Sequence, residues 1–525
     1  MIWNDYPFGV TINPQFFQLT HKDTTCYILR ELEFRSSQHI RQSAGASELI
    51  SNPQEKEGQM MSFKGIFIFS ISSLALLLSG CKTYQHKVIA PETVSSAWAN
   101  IGPEEATQLL SDSTNETPLK YNLSDGISLK EAEVTALFYN PALSASRISS
   151  GLPEVQKKYA RLWEDPELEI DGEYFSSIKE DSLNYSGGLA LTIPLSGRLD
   201  VQKEIAEASL AVQKASIIAE EWALVVEIRE KWAERHFLLE KAKVLKEMVT
   251  DHEKTLKMIP HFRAAKVATI IDEQNLKIEK EELEDEQLKL ELELKNNHLI
   301  LLRLMGLHPD GNWSLTIDSK EIARSFSSNL QQKNLLLSNP NLQKVLGHYE
   351  VAQLHLKLVI KRQIPDLKIG LGAGTEDSSS LMAFGLGLSH LPIFNRNRLD
   401  ISVSEIERKK KGEEILISVQ NLMSQRASAY QRLEIANHRI KNIKTRLLPL
   451  AIKQVWDAMR LAKSGELDLF LLVEAIKKKG ETKLTLLETE LEMSYANLQG
   501  IALSGPDFSW NTTTIAQEEF IKRGN

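Results

Sequence analysis

The chain has 525 residues, 42% of them apolar and 25% charged, with a formal net charge of −8. That composition can bury a core, which excludes global disorder, and its interleaved acids and bases lack the basic face that a nucleic-acid partner needs. Two cysteines, Cys26 and Cys81, make no disulfide framework, and no CxxC or zinc-like spacing occurs.

In chain order, residues 1–60 show no clear periodicity and precede a segment that belongs at an N-terminus. That segment, MSFKGIFIFSISSLALLLSGC at 61–81, has one positive residue (Lys64), an apolar run from Gly65 to Leu78, and then Ser79-Gly80-Cys81. The run is short for a bilayer span and has the size of a signal-peptide core. Leu-Ser-Gly-Cys resembles a bacterial lipobox, which implies removal of 61–80 and a lipidated Cys81 as the mature N-terminus. The chains attached there exceed the two-signal minimum for stable anchoring. Translation is then expected from Met60 or Met61, with 1–60 a non-native extension, 81–127 a lipid-anchored linker and 506–525 a polar tail.

Between the linker and the tail, one unit is written twice, at 128–325 and 328–505. Asn140-Pro141 answers Asn339-Pro340, and DPELEI (165–170) answers IPDLKI (364–369), each at an offset of 199. Arg198-Leu199-Asp200 answers Arg398-Leu399-Asp400 at 200. Constant offsets mark internal duplication. Each unit starts with an expected helix, SLKEAEVTALFYNPALSASRI in the first and LQKVLGHYEVAQLHLKLVIKRQ in the second. Ser128 followed by Glu131 makes a capping box.

Two alternating segments follow in each unit. In ELEIDGEYF (167–175), Leu168, Ile170, Gly172 and Tyr174 share one face, and Glu167, Glu169, Asp171 and Glu173 the other. YSGGLALTI (185–193), LKIGLGAG (367–374) and LMAFGLGLS (381–389) repeat the pattern with small residues on the second face. Their length approaches the roughly 9–11 residues of a tilted membrane strand, and the pattern is that of an outer-membrane barrel. Four strands cannot close such a barrel, and an open edge in lipid leaves backbone groups unpaired. Other copies of the chain are therefore expected to complete the ring.

Two long helical segments come next. About sixty residues from Leu199 to Met258, without proline or glycine, would extend roughly 90 Å. Pro260 is expected to end that helix. The return segment carries Leu276, Leu283 and Leu290 at heptad spacing and stops at Gly306 and Pro309. In the second unit the pair runs from about Leu399 to Leu461 and from Gly465 to Ala502. Pro449, opposite Val249, should kink it and is a candidate hinge.

With strand, proline, Arg-Leu-Asp and long helix in place, the chain resembles the TolC-type outer membrane efflux family over about 125–505. PIFNRNR (392–398) and DPELEIDGEYF (165–175) are similar to its cobalt–zinc–cadmium resistance branch. The resemblance implies a mainly α fold with a small β membrane part: a trimer in which each chain gives four strands to a barrel of about twelve and its helices to a periplasmic tunnel. It implies an outer membrane location, a periplasmic adaptor (membrane fusion protein), an inner-membrane resistance-nodulation-division pump, and divalent heavy-metal cations as cargo. Pro194, Arg198, Pro392, Asn395, Arg396 and Arg398 fall at its strand-to-helix exits. Ala265, Val267, Gly465, Leu467 and Asp468 fall at its hairpin tips, where Ala265 replaces the usual Gly and Asp468 a common Ser.

The acidic row Glu167, Glu169, Asp171 and Glu173 is the candidate pore lining, stacked as rings that favour cations; the plainer reading is a hydrated face. No cofactor or metal is expected: none of the twelve histidines forms an i, i+4 ligand pair, and His348 and His355 sit seven apart. GxSxG, P-loop and HExxH motifs are absent, so the chain is not expected to be an enzyme. The alternative reading is a periplasmic coiled-coil adaptor or structural lipoprotein, which would carry one hairpin flanked by compact β-domains.

Overall fold

The computed structural model describes residues 84, 86, 88–99, 126–175, 182–264, 266, 268–317, 336, 338–376, 379–389, 391, 393–464, 466 and 469–506. The chain divides into two compact units, Met1–Val88 and Ile89–Asn525. Cys81 and the apolar segment before it lie outside the described residues, as do Ala265, Val267, Pro392, Gly465, Leu467 and Asp468.

The second unit opens with α1 (Pro91–Ala99), whose Trp98 Nε1 donates to the Gly306 carbonyl at 2.8 Å. The first repeat begins at Ser128. Its hydroxyl accepts from the Glu131 amide, and the Glu131 carboxylate accepts from the Ser128 amide at 2.9 Å, completing the expected box at the start of α2 (Leu129–Tyr139). The single helix expected over 128–148 is instead two, α2 and α3 (Pro141–Ser149), and α4 (Gly151–Tyr159) follows. The reason is Pro141, which disfavours a helical residue before it. Asn140 is accordingly extended (ψ 119°) and caps α3 with Pro141 at its first position. In the second repeat Asn339 has the same conformation, and α7 (Pro340–Lys361) is continuous.

β1 (Glu167–Phe175) and β2 (Ser182–Ile193) then lead into α5 (Arg198–Ala264) and α6 (Ile270–Met305). β3 (Asp366–Glu376) and β4 (Ser379–Ser389) lead into α8 (Arg398–Asn442), a π-turn (Ile443–Leu447), α9 (Leu448–Lys463) and α10 (Leu469–Ser504). The four strands form one antiparallel sheet in the order β1-β2-β3-β4. The 67 residues of α5 span about 100 Å.

One expectation about proline is corrected. Pro260 does not end α5, which runs on to Ala264. Ile259 and Phe262 on either side are buried against Leu276, Leu469 and Leu472, and that packing outweighs an interior proline's cost of about 3 kcal/mol. At Pro449 a π-turn interrupts the α-helix. In an α-helix its ring would press on the Thr445 carbonyl. The preceding turn widens instead, with the Leu448 amide bonding the Ile443 carbonyl five residues back.

The duplication is structural as well as textual. Asn140 accepts from the Leu143 amide and donates Nδ2 to the Leu304 carbonyl, both at 3.0 Å. Asn339 does the same with Leu342 and Leu503, also at 3.0 Å. Gly306 and Gly505 end the two return helices with φ of 72° and 87°. A Cβ on them would lie 2.4 Å from the Tyr139 carbonyl oxygen and 2.2 Å from that of Ser338. Each return helix is thus fastened to the start of its own unit by one asparagine and one glycine. Around the first lock Trp232, Ile228, Leu301, Leu302, Met305 and Trp313 form a core. Leu276 and Leu290 of the heptad are buried, and Leu283 is partly so.

Asn140→Ala removes a helix cap and the partner of a carbonyl, and should cost about 2–3 kcal/mol in urea unfolding of the detergent-solubilised protein. A loss below about 0.5 kcal/mol, within the range of neutral surface changes, would contradict the lock.

Candidate transport pathway

Strand pairing carries the two sequence-derived faces across the whole sheet. Leu168 lies opposite Leu189, Leu189 opposite Leu371, and Leu371 opposite Phe384. One position on, Glu169, Gly188, Gly372 and Ala383 line up in the same way. One face is therefore continuously apolar, and the other combines the β1 acids with small residues. The apolar face is bare: Ile170 is 75% exposed, Phe384 68% and Met382 90%. So large a contiguous patch requires a covering partner or a lipid phase. No described helix is long and apolar enough to cross a membrane.

Glu167, Glu169, Asp171 and Glu173 are all exposed on the other face. Lys368, which sequence reading had not set against them, reaches across β2 to Glu167 at 2.5 Å. It offsets part of the row's charge, although both groups are too exposed for the pair to add much stability. The outer edges of β1 and β4 are unpaired among the described residues.

At the first exit, Pro194 and Gly197 (φ 69°) end the strand, and the Arg198 amide bonds the Ser196 hydroxyl at 3.2 Å. Arg198 Nη2 binds Glu164 at 2.9 Å and Asp366 at 3.0 Å. Burial opposes its charge, but those two carboxylates outweigh that and raise its pKa. Arg198 thus ties the exit of one repeat to the strand entry of the other. The second exit is built differently. Arg396 and Asn397 are left-handed (φ 48° and 54°). The Arg396 carbonyl accepts from Gln363 Nε2 at 2.7 Å, and Asn397 Nδ2 donates to the Val359 carbonyl at 3.1 Å. The Asn395 carbonyl accepts from the Arg398 amide at 3.0 Å. Among the described residues no carboxylate pairs with Arg398.

The expected tip residues lie outside the described residues, but their flanks are clear. Thr269 and Asp272 form a capping box at the start of α6. The ends of both hairpins share one cluster, in which Ile259 and Phe262 meet Ala458, Ala462 and Leu472. Among the described residues no three His, Cys, Asp or Glu side chains gather as a metal site.

A charged cluster near those tips was missed at the sequence level. Lys479 on α10 binds Asp251 at 2.6 Å and Glu247 at 3.2 Å on α5, and Lys483 binds Glu247 at 2.5 Å. Its signal is two acids and two bases, each pair four residues apart, so that each shares one helix face. Beside it Gly480 admits Met248 so closely that a Cβ would lie 2.4 Å from its sulfur. Burial pushes the Asp251 carboxyl up, but Lys479 and then Lys254 pull it below its ordinary value. The folded pKa is depressed, so this stabilisation is present above about pH 4 and is lost as pH falls through the folded value.

No protein-family model and no curated protein sequence matches the chain. Solved structures match its fold. CusC, whose crystal structures concern transmembrane channel formation, shares 17% identity at a TM-score of 0.63, over 72% of this chain and 92% of CusC. The outer membrane protein VceC of Vibrio cholerae shares 16% at 0.59, over 72% and 96%. The outer membrane channel CmeC of Campylobacter jejuni shares 12% at 0.60, over 84% and 98%. The chain therefore has the fold of these outer membrane channel proteins.

Lys479→Met leaves the partly buried Asp251 with only the more distant, exposed Lys254, and should lower stability by about 1–3 kcal/mol at pH 7. The loss should shrink as pH falls below the ordinary carboxylate value of about 4 and through the depressed folded value. A pH-independent loss in melts from pH 3 to 8 would contradict the pairing.

Proposed function

We propose that the protein is the outer membrane duct of a tripartite efflux system, a trimer of the TolC type anchored by lipid at Cys81. It conducts cargo passively and catalyses no reaction. An inner-membrane resistance-nodulation-division pump supplies the energy, and a periplasmic adaptor joins the two at the hairpin tips. Divalent heavy-metal cations are the proposed cargo, following the likeness of 165–175 and 392–398 to the cobalt–zinc–cadmium branch. The observation that carries the reading is the sheet: one face unbroken in its apolarity, the other small and acidic, two edges open. In lipid the edges must be satisfied by other chains, and closure places the acids inside.

Two paired hairpins and four strands also count against the adaptor reading, which needs one hairpin between compact β-domains. The purified mature chain should migrate as a heat-modifiable trimer and form ion channels in planar bilayers. A monomer with no conductance would remove the duct.

Neutralising the row together (Glu167→Gln, Glu169→Gln, Asp171→Asn, Glu173→Gln) should reduce the cation-to-anion permeability ratio several-fold, since rings of acids set such preferences. An unchanged ratio would leave the row a hydrated wall.

A further inference from the structure

Inside one chain, the first repeat already meets the second. They join along β2 and β3, and again where α5 crosses α7. At that crossing Val212 fills the space left by Gly347: a Cβ on Gly347 would lie 2.5 Å from Val212 Cγ2. Lys357 and Glu204 pair more than two turns further along the same two helices, at 2.5 Å. On the far sides of the chain the corresponding surfaces are unmet among the described residues. β4 and β1 are the open sheet edges. The position equivalent to Val212 is Gly412 on α8, and the position equivalent to Gly347 is Ile148 on α3. Large and small have changed places.

Both residues are otherwise unexplained. Ile148 is 53% exposed on a helix whose Leu143 is buried in the core. Gly412 sits in the middle of α8, where glycine costs about 1 kcal/mol relative to alanine. A Cβ there would find only the Tyr349 ring, at an ordinary 3.8 Å. Among the described residues nothing requires Gly412 to be glycine.

We propose that Ile148 of one copy seats against Gly412 of the next, as Val212 seats against Gly347 within a chain, and that this contact sets the register of the joint. The proposal rests on the closed-ring reading above and adds to it the residues that fix how neighbours meet. Carrying the β2–β3 register across the gap places Leu388 opposite Gly172 of the next copy, Leu386 opposite its Tyr174 and Ser389 opposite its Asp171. Apolar positions then meet apolar-face positions, and the acids meet the small-residue face. A slip by one residue would turn the acids toward the lipid. The occupant is a second copy because the two unmet surfaces are the two halves of an interface the chain already contains.

Gly412→Val should overfill the notch and lower the trimer fraction at least tenfold on semi-native gels and in light scattering, with helical circular dichroism retained. Combining it with Ile148→Gly recreates the internal Val212–Gly347 pairing and should restore the trimer. Independently, Asp171→Cys with Ser389→Cys should cross-link neighbouring copies under mild oxidation. Asp171→Cys with Gly387→Cys, and each single variant with Cys26 and Cys81 in place, should not. If Gly412→Val leaves the trimer intact, or the cross-link forms only in the slipped pair, the knob and its register are wrong while the trimeric duct stands. If the unaltered protein is itself a monomer, the duct reading falls with them.

Discussion

The constraint on which everything else depends is that backbone hydrogen-bonding groups cannot be left unpaired in lipid. A four-stranded sheet with one bare apolar face has nowhere stable to be as an isolated object. Water rejects the face, and a membrane rejects the two edges. Only closure into a ring satisfies both. In the proposed ring, closure would determine which residues line the lumen, because alternation leaves the acids of β1 no other side to occupy.

The duplication shows how one solution was used twice and then adjusted. The locks at Asn140 and Asn339 and at Gly306 and Gly505 are unchanged between repeats, because each joins a return helix to its own unit. The surfaces between units have diverged. Arg198 bridges Glu164 and Asp366, whereas at the corresponding exit the longer PIFNRNR loop turns through two left-handed residues. The first long helix is a continuous α5, whereas the second takes a π-turn ahead of Pro449. In the proposed duct, pseudo-symmetry within each chain would therefore let its two kinds of joint be used differently.

Much of this was legible in the sequence because period-two alternation and a constant offset are local signals. The strands appear within three residues of their expected starts, and the Leu276 and Leu290 stripe is buried as heptad spacing requires. What was not legible depends on tertiary partners. Pro260 reads as a terminator until Ile259 and Phe262 are seen packed across to the second hairpin. Asn140-Pro141 was visible as a landmark of the repeat, and Pro141 breaks the helix locally, but the Leu304 carbonyl that the Asn140 side chain fastens is a tertiary partner. Lys368 reads as an ordinary exposed lysine, because its acid lies two strands away. The Lys479 cluster joins positions more than two hundred residues apart, and only the spacing of four hinted at it.

The central claim is that lipid covers the Leu168–Leu189–Leu371–Phe384 side of the sheet. Spin labels placed singly at Ile170 and Phe384, and at Glu169 and Gly372, in protein reconstituted into bilayers test it most directly. Lipid contact requires the first two labels to be relaxed by dissolved oxygen and shielded from an aqueous nickel reagent, with the second two showing the reverse. Equal exposure of all four sites to the aqueous reagent would mean that the sheet lies in water and that no barrel is formed.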